Sequence, residues 1–345
     1  MSSPIDTDSY SARLRARAVK LGERRLLIAR IAGSDQAADL TKPPNCDGYG
    51  RIRHFRQDHG TDWPRNPVPI EPACRALGLG AEDELQAQVF QNAACNWRCW
   101  YCFVPFSLLE AREDAGAWLS ADDLLDLYLR EPESTRPKMI DLTGGQPELV
   151  PEWVPWTMRA LRARALEGRV FLWSDDNLSN DYFFRFLSDS DRELIATFSG
   201  YGRVACFKGF DEASFAFNTE ASPALFDRQF DLFGRLLATG MDLYAYVTLT
   251  TPNDSGIDDA VARFVDRLQM IHENLPLRTV PLKIAVFGVV KRRLAGPGRH
   301  LADLRAQSEQ NQFRAIEAWN RELERRFPSA LRAASIVDVP LRAKS

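Results

Sequence analysis

No apolar run in the sequence approaches the ~20 residues that a membrane-spanning helix needs. The first residues, Met-Ser-Ser-Pro-Ile-Asp-Thr-Asp, have no apolar stretch of the kind a secretory signal requires. Neither sign of charge dominates: the net charge is −3 and the pI about 5.9. No global field therefore draws the chain to nucleic acid or to an anionic membrane. Internal repeats and low-complexity tracts do not stand out. Cysteine is sparse, six among 345 residues, and half of it is concentrated in one stretch. With no sign of secretion, that clustering reads as metal ligation in a reducing cytosol rather than as a disulfide framework. A cytoplasmic protein is expected.

What is present suits a folded enzyme-sized chain. It is 45% hydrophobic and 26% charged, enough to bury a core. From residue 86 onward, strand-length apolar runs at 86–91, 138–142, 169–173, 203–208, 242–249 and 282–289 alternate with amphipathic stretches. The helical stretches fall at 120–130, 152–166, 181–188, 223–239, 257–274 and 304–326, with apolar spacing such as Phe226, Phe230, Phe233 and Leu237. Ser120 suits a helix N-cap and Gly240 a helix end. Alternation of this kind predicts an α/β fold with a parallel sheet and right-handed crossovers, a partial (β/α)6 barrel resembling the TIM barrel. We expect a barrel at 86–290, an N-terminal extension at 1–85 and a C-terminal helical extension at 291–345. The extension opens with a basic helix-then-strand segment at 9–31. Its arginines are either a solvated face or a phosphate-contacting patch. Residues 41–75 carry little periodicity and read as an irregular wrap.

The stretch Cys95-Asn96-Trp97-Arg98-Cys99-Trp100-Tyr101-Cys102 places three thiols within eight residues. Structural zinc normally takes four protein ligands, and ordinary ferredoxin clusters take four cysteines. Three cysteines suggest a [4Fe-4S] cluster with one iron open to a small molecule. Cys46 and Cys74, with His54 and His59, could form a second metal site, but their spacing matches no close ligand pattern, and buried thiols explain them as well. In a parallel sheet, ligands bind beyond the carboxyl ends of the strands. The residues after each strand are therefore an independent list of the site. They are the cysteine loop, Thr143-Gly144-Gly145-Gln146-Pro147-Glu148, Ser174-Asp175-Asp176-Asn177, Cys206-Phe207-Lys208 and Thr248-Leu249-Thr250-Thr251-Pro252. Paired glycines let a backbone approach a ligand closely, or make a plain strand-to-helix turn.

The C-x3-C-x2-C loop with an aromatic residue before its last cysteine, followed by Gly144-Gly145-Gln146, resembles the radical S-adenosylmethionine (radical SAM) enzymes. The later turns distantly resemble the glycyl-radical-enzyme activases of that family. The resemblance implies that Cys95, Cys99 and Cys102 hold a [4Fe-4S] cluster. It implies that Gly144, Gly145 and Gln146 meet the amino end of S-adenosylmethionine, with Gln146 standing where the family carries glutamate. Ser174 and Asn177 are expected at the ribose, where hydroxyl and amide groups are suitable partners, and Lys208 at the methionine carboxylate. Cys206 replaces the aspartate usual before that lysine, and is read as a small core residue rather than a fourth ligand. Phe287 and Gly288 are placed near the adenine. The implied reaction is reductive cleavage of S-adenosylmethionine and hydrogen-atom abstraction from a small molecule, peptide or protein. It draws electrons from a reductant such as flavodoxin or ferredoxin. The competing readings are an RNA-modifying member of the same family and a non-catalytic zinc or iron–sulfur module.

Overall fold

The computed structural model describes residues 3–58, 60, 62–295 and 299–341. Among the described residues ten strands form in chain order: β1 (Val19–Lys20), β2 (Arg25–Ala29), β3 (Gly50–Arg56), β4 (Glu84–Gln91), β5 (Gly116–Ser120), β6 (Met139–Thr143), β7 (Phe171–Asp176), β8 (Tyr201–Phe207), β9 (Leu243–Thr248) and β10 (Thr279–Leu282). The helices are α1 (Thr7–Ala18), α2 (Ile70–Leu77), α3 (Ala121–Arg130), α4 (Trp153–Ala163), α5 (Tyr182–Phe186), α6 (Asp189–Thr197), α7 (Glu212–Thr219), α8 (Phe226–Leu237), α9 (Ile257–Ile271), α10 (Gly288–Leu294), α11 (Arg299–Arg326) and α12 (Ser329–Arg332).

The main sheet is a curled half-barrel of seven strands in the order β10-β9-β8-β7-β6-β4-β3. Six of them are parallel, while β3 runs antiparallel to β4, with Arg51 opposite Val89 and Arg53 opposite Ala87. A three-stranded sheet, β1-β2-β5, lies beside it. Strand alternation sorts the core into two layers. Ile140, Leu142, Leu172, Ala205, Phe207, Ala245 and Val247 face the helices in one cluster. Met139, Phe171, Trp173, Val204, Tyr244, Tyr246 and Val280 line the other face, where Ile70, Ala73 and Cys74 of α2 pack on them. Ser120 caps α3 in a reciprocal box with Asp123, as its position in the sequence suggests.

Several expectations need correction. The expected irregular wrap at 41–75 contains β3 and α2, so the sheet has a seventh strand contributed from before residue 86. The pattern there is hard to see because β3 carries Arg51, Arg53 and Arg56, and it tolerates charge as an edge strand. The sixth parallel strand is 279–282, not 282–289. Phe287 lies beyond it, and Gly288 opens α10, where an added Cβ would stand 2.3 Å from Asp39 Oδ1. Helices α6 and α7 were not anticipated. His59 lies outside the described residues.

Candidate active site

The cysteine loop follows β4 and is fastened on three sides. From α1, Ser11 Oγ accepts a hydrogen bond from Asn96 Nδ2 at 2.8 Å, and Thr7 Oγ1 accepts one from Trp97 Nε1 at 3.1 Å. From α7, Asn218 Oδ1 accepts from Trp100 Nε1 at 2.9 Å and Thr219 O from the Arg98 backbone N–H at 3.1 Å. From α10, Arg293 donates to Trp100 O at 2.9 Å and to Val104 O at 3.1 Å, with its guanidinium 3.9 Å from the Phe106 ring centroid. The N-terminal helix is thus a buttress of this loop. Its Arg15 is buried and pairs with Glu152.

The three loop thiols share one field. Burial pushes the Cys99 thiol up to about 12, and the neighbouring Cys95 and Cys102 add to that while Lys208 opposes it. Burial likewise raises Cys102, with Cys95 adding to it. Among the described residues no three His, Cys, Asp or Glu side chains stand as a ready-closed metal-ligand group. The donor chemistry nonetheless fits a soft metal centre: three thiols on one short loop, costly as bare thiolates, which a cationic centre would stabilise. Cys46 and Cys74 are buried in separate core clusters, so they do not build a second site together. Cys206 lies on the same face as Tyr246, and its thiol is raised to about 11 chiefly by burial.

The Gly-Gly turn after β6 is packed directly on the backbone that leads into the cysteine loop. Gly144 has φ +92°, and a Cβ there would stand 2.5 Å from Gln91 Cγ. A Cβ on Gly145 would stand 2.3 Å from Asn92 O and 2.4 Å from Ala94 O. Only glycine fits either position. Gln146 follows, almost wholly buried, with its side chain fully engaged. Its Nε2 donates to Asp176 Oδ1 at 2.9 Å, and its Oε1 accepts from the Asn177 backbone N–H at 3.0 Å.

The end of β7 and the turn after it are engaged in the same way. Ser174 Oγ is 2.7 Å from Tyr201 OH on the helix-facing side, and Asn177 Nδ2 donates to Asn96 Oδ1 at 3.1 Å. The β7 residue that faces the inner side is Asp175, in step with Phe171 and Trp173. It accepts from Thr143 Oγ1, and its Oδ1 has no partner. The sequence reading includes Asp175 in this turn but gives the ribose to Ser174 and Asn177; strict alternation from Trp173 picks out Asp175 instead. Lys208 lies among Cys206, Tyr101, Cys99 and Asp175. Burial alone would lower its ammonium, but those four groups hold it well above its ordinary value. Among the described residues Lys208 makes no ion pair. The structure therefore brings Cys99, Lys208, Thr143 and Asp175 to one side of one sheet end. Gln146, Ser174 and Asn177 stand behind them as braces.

No family model and no curated protein matches this chain. Solved structures do. SuiB from Streptococcus suis bound to its precursor peptide SuiA is 16% identical, with a TM-score of 0.38 over 53% of this chain and 36% of that one. SuiB bound to S-adenosylmethionine is 18% identical, with a TM-score of 0.37 over 52% of this chain and 36% of that one. The matched region is thus about a third of the length of these neighbours. Among the described residues no helix is long and apolar enough to cross a membrane.

Proposed function

We propose that this chain is a radical SAM enzyme, built as a partial TIM-like (β/α)6 barrel at 86–290 with extensions at 1–85 and 291–345. The observation that carries this reading is the meeting of the three-cysteine loop with the half-buried Lys208, which makes no ion pair among the described residues, at the sheet end. A thiol loop that leaves one metal position open suits a chelating ligand, and a carboxylate is the group a partly buried ammonium without an ion pair selects. When bound, a [4Fe-4S] cluster on Cys95, Cys99 and Cys102 with S-adenosylmethionine would supply one-electron cleavage of a carbon–sulfur bond and hydrogen-atom abstraction.

The protein's own share is positioning. Gly144 and Gly145 bring backbone groups to the amino end of the cofactor, and Lys208 takes its carboxylate. Asp175, with one free carboxylate oxygen, suits ribose hydroxyls. Gln146, Ser174 and Asn177 fix those groups from behind. The ring faces of Tyr101 and Phe103 beside the loop keep water away. A one-electron donor such as flavodoxin or ferredoxin would act as partner, and the substrate is a small molecule, peptide or protein.

Anaerobic reconstitution tests the reading. The expected product holds about four iron and four sulfide per chain and, once reduced, converts S-adenosylmethionine to 5′-deoxyadenosine and methionine. Cys95→Ala, Cys99→Ala or Cys102→Ala should each abolish both properties, while Cys46→Ala should keep them. Zinc without labile sulfide, or wild-type cleavage in any of the three loop variants, would refute it.

A further inference from the structure

The inner face of the sheet carries three cationic side chains against two acids, and one of the three, Arg51, is buried. Arg51 and Arg53 of β3 and Lys208 after β8 stand against Asp141 of β6 and Asp175 of β7. Arg53 Nη1 donates to Asp141 Oδ2 at 3.1 Å, and Asp175 takes the Thr143 hydroxyl. Arg51 makes no ion pair among the described residues. It is only 4% exposed, and both Nε and Nη2 lack hydrogen-bond partners. Those two nitrogens lie on one edge of the guanidinium, the edge that receives both oxygens of a single carboxylate side-on. Leaving that fork empty in the interior is costly, and a buried polar group without partners calls for an explanation.

Its surroundings are those of the candidate site. The guanidinium stands 5.0 Å from the ring centroid of Phe103, the residue after Cys102. Phe103 in turn meets Phe287 edge-on at 6.3 Å, and Phe287 is 49% exposed. This aromatic pair runs from the guanidinium to the surface. On the neighbouring strand, Gln91 lies against Gly144, and its Nε2 is a second buried donor without a partner. Asp141 Oδ1 is an unpartnered acceptor on the same face. Lys208 accounts for one carboxylate, that of the proposed cofactor. Arg51 then requires another.

We propose that Arg51 is the anchor for a carboxylate on the substrate, so that the substrate class is a carboxylate-bearing molecule held on β3 beside the cysteine loop. Asp141 and Asp175 beside the fork disfavour a phosphate dianion and select the singly charged group. This rests on the radical SAM reading only for the term substrate; the anion site itself does not depend on it.

The test uses the full chain and acetate as the probe, at constant ionic strength, in a Lys208→Met background that removes the cation assigned to the cofactor. Acetate should raise the melting temperature saturably. Arg51→Met and Arg51→Gln should each weaken that response by roughly tenfold or more, and Arg51→Met without acetate should melt no lower than its parent, because an unpaired buried charge is gone. An acetate response unchanged by both Arg51 substitutions, or no response at all, would overturn the proposal. A stronger response to inorganic phosphate than to acetate would overturn the carboxylate class. Adding Cys99→Ala separates the two readings: an Arg51-dependent response that persists there upholds the anion site even if the iron and cleavage assays fail.

Discussion

Gln146 and Asp176 are joined by a hydrogen bond of fixed sense, the Gln146 amide donating to the Asp176 carboxylate over 2.9 Å in a fully buried setting. This explains why the glycine motif carries an amide rather than a carboxylate. A glutamate at 146 would set two buried carboxylates against each other, and burial already raises Asp176. Gln146→Glu should destabilise the fold by about 2–4 kcal/mol. The double variant Gln146→Glu/Asp176→Asn should regain most of that loss, since the restored amide–carboxylate pair runs in the opposite sense. Chemical denaturation of the four proteins measures it; additive losses would exclude the pairing.

Gly145 is the tightest contact between the second and first strand-end motifs. Its missing Cβ makes room for the carbonyls of Asn92 and Ala94, and Ala94 O also accepts from the Gln146 backbone N–H at 2.7 Å. Gly145→Ala should therefore cost about 1–3 kcal/mol. It should also speed maleimide labelling of Cys95, the residue directly after Ala94. Gly80→Ala, where nothing lies within 4 Å, is the control and should change stability by less than about 0.5 kcal/mol.

Glu148 makes stability depend on pH. Burial, with Asp176 and Glu152 adding to it and Arg203 opposing, raises its carboxyl from 4.5 to about 7. Between those values the folded state holds a proton that the unfolded chain has lost. The resulting stabilisation is full below about pH 4.5 and disappears as pH rises through about 7. The wild type should lose stability relative to Glu148→Gln over that window. A difference between the two proteins that is flat with pH would exclude the shift.

The legible parts of the chain were those where local pattern and tertiary role agree. Five of the six parallel strands lie within a few residues of their apolar runs; β6 to β9 are buried along almost their whole length and carry mostly apolar residues, as central parallel strands do. β3 was illegible for the opposite reason: three arginines in seven residues hide a strand, and two of them, Arg51 and Arg53, face the inner side beside Asp141. Within the site, proximity in sequence predicted which turns meet but not which side chains face inward. Ser174 and Asn177 have suitable chemistry yet are consumed by Tyr201 and Asn96, while Asp175 between them has the free oxygen. Spacing names a turn; only the pleat decides the side.

Helix α10 acts on the cysteine loop through Arg293. Its two hydrogen bonds, to Trp100 O and Val104 O, straddle Cys102, and its guanidinium lies on Phe106. Hydrogen bonds from a charged donor to buried carbonyls are worth about 1.5–3 kcal/mol, and these two also fix the loop's curvature around the thiols. Arg293→Met should loosen that turn and make the Cys99 and Cys102 thiols several-fold faster to label with maleimide than in the wild type. Arg293→Lys should fall between, because a lysine reaches one carbonyl without the planar fork that spans both. Arg292→Met removes a neighbouring arginine whose one hydrogen bond, to Asp35 O, is exposed, and should label like the wild type. Equal rates for Arg293→Met and Arg292→Met would show that α10 merely lies beside the loop without holding it.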